Sequence, residues 1–334
     1  MHIAIPLSAC AAVAALSCST LAGVVNPWDF NVFSRGDIGA PGSNYGSDFQ
    51  GAAGAVGSAW FGSFSLRDVA GSSPSLANAW YGGGAFNNLQ GGTVHGNIES
   101  AGPVTLNSHT VTGTVYSGGG LAGSGGTIGN GAVLFGSNTS SITVAGGVTT
   151  GVPFSPTVDV NAVSAFFLAQ SNAAAALSNT ATATPVFNAF TVNTVPGVNV
   201  VTVSALDLFN AHTFNVNGPG TLIINVTGSS ATLDSTTWNY TGGASSRTTL
   251  LNYNHATTLN IPFGGNIVNI LAPNAATTFL SGHVDGNLIV GSLMGGHNFG
   301  GQVNWVGGFS GTIPAPGAAA ALALGGLAAC RRRR

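Results

Sequence analysis

The sequence predicts an all-β fold, a β-solenoid of short strands with one long α-helix packed alongside it. Three observations predict it. Of 334 residues, 51 are glycine, 44% are hydrophobic and only 5% are charged, so short apolar strands must be broken by tight turns. Thr93-Val94, Thr110-Val111 and Thr127-Ile128 recur at a constant step of 17 residues. One stretch near the middle carries helical periodicity where its surroundings alternate. Disorder goes with low hydrophobicity and high net charge, and a mean hydropathy of +0.37 argues against it. A β-sandwich, which also uses short strands with frequent turns, is the alternative architecture.

Residues 1–22 have the layout of a secretory signal peptide. Ile3 to Leu16 are apolar and small, and Thr20-Leu21-Ala22 is a small-x-small site that places cleavage between Ala22 and Gly23. The n-region lacks the usual Lys or Arg. A lipoprotein signal ending at Cys18, after Ala15-Leu16-Ser17, competes with this reading, and a buried N-terminal helix is the bland alternative.

The body, 23–312, is one β-rich domain. In a solenoid each turn stacks about 4.8 Å from the next, and alternation points Val, Ile and Leu inward and Thr, Asn and His outward. A second stretch echoes the first: Ile267 and Val284 are 17 apart, and Val284-Asp285-Gly286-Asn287-Leu288 copies Val94-His95-Gly96-Asn97-Ile98. Ser155-Pro156 has the form of an N-cap followed by proline at the first helical position. Val160, Val163, Phe167, Ala174 and Leu177 then predict a helix near Val158 to Ser178, closed off by Pro185. At 1.5 Å per residue such a helix is roughly 33 Å long and lies along about seven turns. Val198 to Val203, Phe214 to Val216 and Thr221 to Val226 are predicted strands, with Gly218-Pro219-Gly220 turning between the last two. Leu250 to Ile261 adds a strand pair.

The C-terminus, 313–334, has three parts. Pro314-Ala315-Pro316-Gly317 leads into an apolar run from Ala318 to Cys330, and Arg331, Arg332, Arg333 and Arg334 follow. The run is short against the ~20 residues of an ordinary spanning helix, and the basic cluster would be held on the cytoplasmic side. This layout resembles the PEP-CTERM sorting signal, with Pro-Ala-Pro where that family usually has Pro-Glu-Pro. The resemblance implies an exosortase-type processing enzyme as partner and transient membrane insertion by the C-terminal helix. Cys10, Cys18 and Cys330 all fall in the two end segments, so the body carries no disulfide.

Several blocks of the body resemble the choice-of-anchor A family. Trp28-Asp29-Phe30-Asn31-Val32-Phe33 with Gly36-Asp37 is similar to its opening strand and turn. Thr221 to Gly228 resembles its middle block. Leu271-Ala272-Pro273-Asn274-Ala275, then Val284 to Leu288, then Gly301-Gln302-Val303-Asn304 resemble its closing blocks. The match runs over about residues 26 to 310, with Ala53 to Trp80 fitting poorly. The resemblance implies a secreted cell-surface protein with an adhesive, in some members collagen-binding, domain. Its ligand would be an extracellular matrix component, glycan or biofilm polymer, and its location the cell surface or extracellular matrix.

Composition narrows the chemistry. There is no Lys, and only Arg35, Arg67 and Arg247 precede the tail, against nine acids, so no basic patch exists for nucleic acid. The seven His show no metal-ligand spacing, and Gly118-Gly119-Gly120 lacks the Lys of a phosphate cradle. No catalytic, metal or cofactor residues are assigned, and the chain is expected not to be an enzyme. A polysaccharide lyase or hydrolase would need clustered acids and bases. Arg35-Gly36-Asp37 spells an integrin tripeptide, but turn residues are the better reading, as for Asp37 and Asp48 as a Ca²⁺ pair. His283 and Asp285 share a strand face as exposed polar residues. Binding is expected through outward Thr, Asn and Ser with occasional aromatics such as Tyr240, Tyr253 and Trp305. An ice-binding solenoid is a further alternative, since Thr93, Thr110 and Thr127 stand in step and one ice-binding family sets a helix beside a solenoid. The expectation is that the Thr column stops there.

Overall fold

In the computed structural model, which describes residues 25–314, strands pair in parallel with neighbours one turn away, apart from the antiparallel hairpin Ala183–Val186/Ala189–Asn193. The solenoid prediction holds. Twelve strands of the largest sheet stack in a fixed order: Val148–Thr149, Ala132–Leu134, Val115–Ser117, Ile98–Ser100, Trp80–Gly82, Ala52–Ala55, Phe30–Ser34, Leu288–Met294, Asn269–Phe279, Thr249–Asn252, Thr221–Thr227 and Val198–Ser204. The first strand of the chain therefore sits in the middle, between Ala52–Ala55 and Leu288–Met294.

This order describes two arms. The N-terminal arm winds outward from Phe30–Ser34 to Val148–Thr149. A helix then carries the chain back across the stack, and the C-terminal arm starts at the far end, Val198–Ser204, and winds inward until Leu288–Met294 closes on Phe30–Ser34. Each turn adds up to three strand segments, as in Trp80–Gly82, Phe86–Asn88 and Gly92–Val94. Inward positions line up in columns: Val115, Ile98, Trp80, Ala53, Val32, Leu288, Ile270 and Leu251 pair in register through both arms. All are buried in one core cluster. With no disulfide available, these columns and the parallel ladders hold the coil.

The 17-residue step is real but local. Ile98, Val115 and Ala132 pair at that interval. Ile224 pairs with Leu251, 27 residues away, because the corners between them are longer. The second expected step is corrected: Val284 bridges to Asn266, not Ile267, and Ile267 points outward while Val284 is buried. The two Gly-Asn corners do correspond. Gly96 and Gly286 both have positive φ (132° and 152°) just before the buried Ile98 and Leu288.

The helix α1 spans Val160–Ala175, 16 residues, shorter at both ends than predicted. Asp159, not Ser155, is the N-cap; its Oδ1 accepts from Asn161 N (2.9 Å) and Ala162 N (3.2 Å). Ser155-Pro156-Thr157 stays non-helical because Thr157 is tied to the sheet, its N and Oγ1 donating to the Glu99 carboxylate at 2.8 and 2.5 Å. Pro185 lies in the edge strand of the hairpin, where a missing N–H costs nothing.

As expected, α1 lies along the outer face of the large sheet. Val160, Val163 and Phe167 pack with Phe33, Leu271 and Ile289, and Trp28 meets Phe167 edge-on at 5.1 Å. Toward its C-terminus the contact turns polar. Ser171 Oγ donates to Asn252 Oδ1 (2.6 Å), Asn252 Nδ2 to Asn225 Oδ1 (2.9 Å), and Asn225 Nδ2 to Ala174 O (2.9 Å).

Among the described residues five buried side-chain atoms lack a hydrogen-bond partner, and the Tyr253 hydroxyl is one of them. Tyr253, expected to face outward, is buried, and its hydroxyl bonds nothing. Tyr253→Phe is expected to raise stability by about 1 kcal/mol, since the variant no longer buries an unpaired hydroxyl. A urea midpoint that falls would mean the hydroxyl is satisfied after all.

Candidate ligand-binding face

The strands Phe64–Leu66 and Gly92–Val94, with the second halves of Val104–Val111 and Leu121–Ile128 and then Ser141–Val144, form one face of the N-terminal arm. Leu66, Val94, Val111 and Ile128 point in and are buried. Their neighbours Ser65, Thr93, Thr110, Thr127 and Thr143 point out, each paired in register with the next. The threonine column therefore runs through four consecutive turns, with Ser65 extending it. This corrects the expectation that it stops at Thr127. Thr143 escapes a search at step 17 because the last interval is 16, and Ser65 lies 28 residues before Thr93.

Ser108 makes this face possible. It adopts φ 53°, a bulge that shifts the alternation so that His109 points in and Thr110 out. A parallel column of Asn107, Ser124 and Ser141 runs beside the threonines. The hydroxyls of Thr93, Thr110, Thr127 and Thr143 make no hydrogen bond to any described residue. Being β-branched, these side chains hold few rotamers, so the array is stiff before any ligand arrives.

The C-terminal arm offers a contrast. On its sheet Ala189–Asn193, Thr213–Asn217, Thr237–Thr241, outward amides bond one another: Asn239 Nδ2 donates to Asn215 Oδ1 (3.0 Å) and Thr241 Oγ1 to Asn217 Oδ1 (2.7 Å). That polar ladder is self-satisfied. Behind it Phe214 and Trp238 stack at 4.9 Å.

No Asp, Glu, Lys or Arg occurs between Glu99 and Asp159, the stretch that carries Thr110, Thr127 and Thr143. Asp48 Oδ1 accepts from Ser65 N (2.6 Å) and Asp37 Oδ1 from Ser58 N (2.7 Å), so both are turn residues. Arg35 is not a free recognition side chain: its Nε donates to Ser164 Oγ (3.0 Å) and its Nη1 to Pro273 O (2.9 Å), clamping the first strand to α1. His283 Nδ1 and Asp285 Oδ1 lie 2.7 Å apart, and Asn304 Nδ2 donates to the same oxygen at 2.7 Å. Asp68 is pushed up from the usual carboxylate range, by burial first and by the Asp48 charge second. Among the described residues no three His, Cys, Asp or Glu are grouped to hold a metal ion. The buried Glu99 is fully used by Asn78 Nδ2 (2.8 Å) and Thr157.

Of the expected aromatics, Tyr240 donates its hydroxyl to Ile267 O (2.6 Å), and Trp305 is half-buried. Of the end segments, Pro314 is the last described residue. Ala22 and Gly23, Ala315 to Gly317, Ala318 to Cys330 and Arg331 to Arg334 lie outside the described residues. Among the described residues no helix is long and apolar enough to cross a membrane.

A protein-family model described as "Putative Ice-binding-like adhesive domain" matches residues 28–305. No curated protein and no solved structure matches the chain.

Proposed function

The chain belongs to this family of ice-binding-like adhesive domains, and on that premise we propose that it is a surface adhesin whose ligand lies across the Thr93–Thr143 face. One observation carries the reading: a stiff, uncharged column of hydroxyls that the protein itself leaves unpaired. Such a face suits a neutral, hydroxyl-rich polymer such as a matrix glycan or biofilm polysaccharide. Neutral hydrogen bonds are worth about 1 kcal/mol each net, so a single site is weak and dense display supplies avidity. The absence of Lys from the sequence argues against charge steering. Export by the N-terminal signal and sorting by an exosortase-type enzyme at Pro314 to Arg334 complete the reading, in keeping with the choice-of-anchor A and PEP-CTERM resemblances. No catalysis is proposed.

A second reading has its own support. Four threonines in register, about 4.8 Å apart, also make a regular array on which ordered water can be held, so an ice surface is the second ligand that suits this face. Thr110→Glu with Thr127→Glu tests both. The double variant is expected to keep its urea midpoint and to lose at least about tenfold in retention, roughly 1.4 kcal/mol. Asn239→Glu on the other arm is expected to change nothing. Retention on a neutral polysaccharide matrix at low and high salt reads the polymer function, and inhibition of ice recrystallisation reads the other. Unchanged performance of the double variant in both assays would remove this face from consideration.

A further inference from the structure

The C-terminal segment after Asn304 runs across the stack beside α1 and ends at the outermost turn of the C-terminal arm. Phe309 N donates to Asn287 Oδ1 (2.7 Å), Ser310 N to Arg247 O (2.8 Å), and Thr312 N to Thr221 Oγ1 (3.0 Å). Ile313 then packs against Ala174, Val200 and Ile223. Only Pro314 to Gly317 separate this anchored residue from the apolar run at Ala318. Four residues reach at most about 14 Å.

The same outermost turn is apolar where it should be polar. The hairpin tip presents Val186 and Phe187, the latter fully exposed; the corner before Val198 presents Val195; and the short helix α2, Ala205–Asn210, presents Leu206 and Phe209. Tip and helix are neighbours, since His212 N donates to Asn188 O (2.8 Å). From Ala183 to His212 the only ionisable side chains are Asp207 and His212, and Asp207 accepts from Ser204 Oγ (2.6 Å).

We infer that this pole of the solenoid rests on a lipid surface, with Phe187, Leu206 and Phe209 in the interfacial layer. The length of chain beyond Ile313 and the place where it leaves the fold select lipid as the occupant. An apolar segment that enters a bilayer within four residues of the outermost turn must bring that turn to the membrane. Aromatic and aliphatic side chains are favoured at that depth. With no Lys or Arg at the pole, the contact needs no anionic lipid. The threonines 110 to 143 then stand eight to ten turns away, on the order of 40–50 Å out at about 4.8 Å per turn. The inference rests on the membrane-inserting reading of the tail.

The test uses full-length protein on phosphatidylcholine vesicles with brominated acyl chains. Phe187→Trp and Leu206→Trp report from the pole, and Val148→Trp from the opposite end. Added emission of the F187W and L206W proteins is expected to be largely lost on brominated vesicles and kept on unbrominated ones, with V148W unaffected. Protein that floats with vesicles while all three report alike overturns the docking alone, as does end-to-end pairing of two copies that shields F187W and L206W from bromine. Protein that does not float overturns both the docking and the tail reading, and leaves the threonine face untouched.

Discussion

Asn287→Ala is expected to cost about 3–5 kcal/mol, because it strips partners from three buried backbone groups at the seam where the two arms meet. Asn287 Nδ2 donates to Trp28 O (3.0 Å) and Phe30 O (2.5 Å), and its Oδ1 accepts from Phe309 N (2.7 Å). It thus joins the first turn of the chain, the start of strand Leu288–Met294 and the C-terminal segment. Asn31 secures the other end of the seam: its Nδ2 donates to Gly286 O (2.8 Å) and Asn304 O (3.2 Å), and its Oδ1 accepts from Gly51 N (3.0 Å). These bonds span more than 250 residues of sequence, apart from that to Gly51 and that to Phe309. The comparison is Asn97→Ala, at the equivalent Gly-Asn corner within the continuous N-terminal arm. Asn97 Oδ1 accepts from Thr114 N (2.8 Å) and its Nδ2 donates to Asn78 Oδ1 (3.0 Å), and the residue is only half-buried. Its loss is expected to cost about 1–2 kcal/mol. Urea denaturation of both variants decides the matter. Equal midpoint shifts would mean that the seam has no special weight. Because Asn31 and Asn287 share the Trp28–Phe30 and Gly286–Asn304 backbones, their double variant is expected to fall short of the summed single effects.

The fold class was legible because three successive turns of the N-terminal arm have equal length, which puts Thr93, Thr110 and Thr127 in step. The arms' meeting point was not. Phe30–Ser34 and Leu288–Met294 are both apolar strands buried on two faces, and nothing local to either says that the other is its neighbour. The one hint was a buried Asn beside each: Asn31 within the first strand and Asn287 immediately before the second, where burial should exclude it. Helix boundaries were misplaced because Ser155-Pro156 is a sound local N-terminus, and only the tertiary bond from Thr157 to Glu99 overrides it. Three of the five residues of the outward column were visible, and its ends, Ser65 and Thr143, were hidden by turns of unequal length.

The alternation itself misleads at one residue, His109. Strict period two, counted from Val104 and Leu106, would turn it outward; the Ser108 bulge turns it in, where it is fully buried behind Thr110 and stacks on Phe64 at 5.1 Å. Asn88 Oδ1 already accepts from Gln90 N (3.0 Å) and Gly91 N (3.3 Å), so Asn88 Nδ2 meets the imidazole as a donor and needs an unprotonated ring nitrogen. Burial pushes the His109 pKa down to about 4, partly offset by its bond to the Gly91 backbone. An unfolded chain returns it to about 6.5. Between those values the unfolded state binds the extra proton, so stability is complete above pH 6.5 and declines as pH falls toward 4. At pH 4.5 the loss from this one group is about 2–3 kcal/mol. Asp68 acts in the opposite sense, since its raised pKa makes acid slightly favourable to the fold, but it is exposed and cannot cancel a buried ring. Urea midpoints at pH 7 and pH 4.5 for the native chain and for His109→Gln isolate the effect. The native protein is expected to lose about 2–3 kcal/mol more than the variant over that interval. Parallel losses in the two proteins would assign acid sensitivity to the carboxylates and leave the bulge at Ser108 as a purely geometric device.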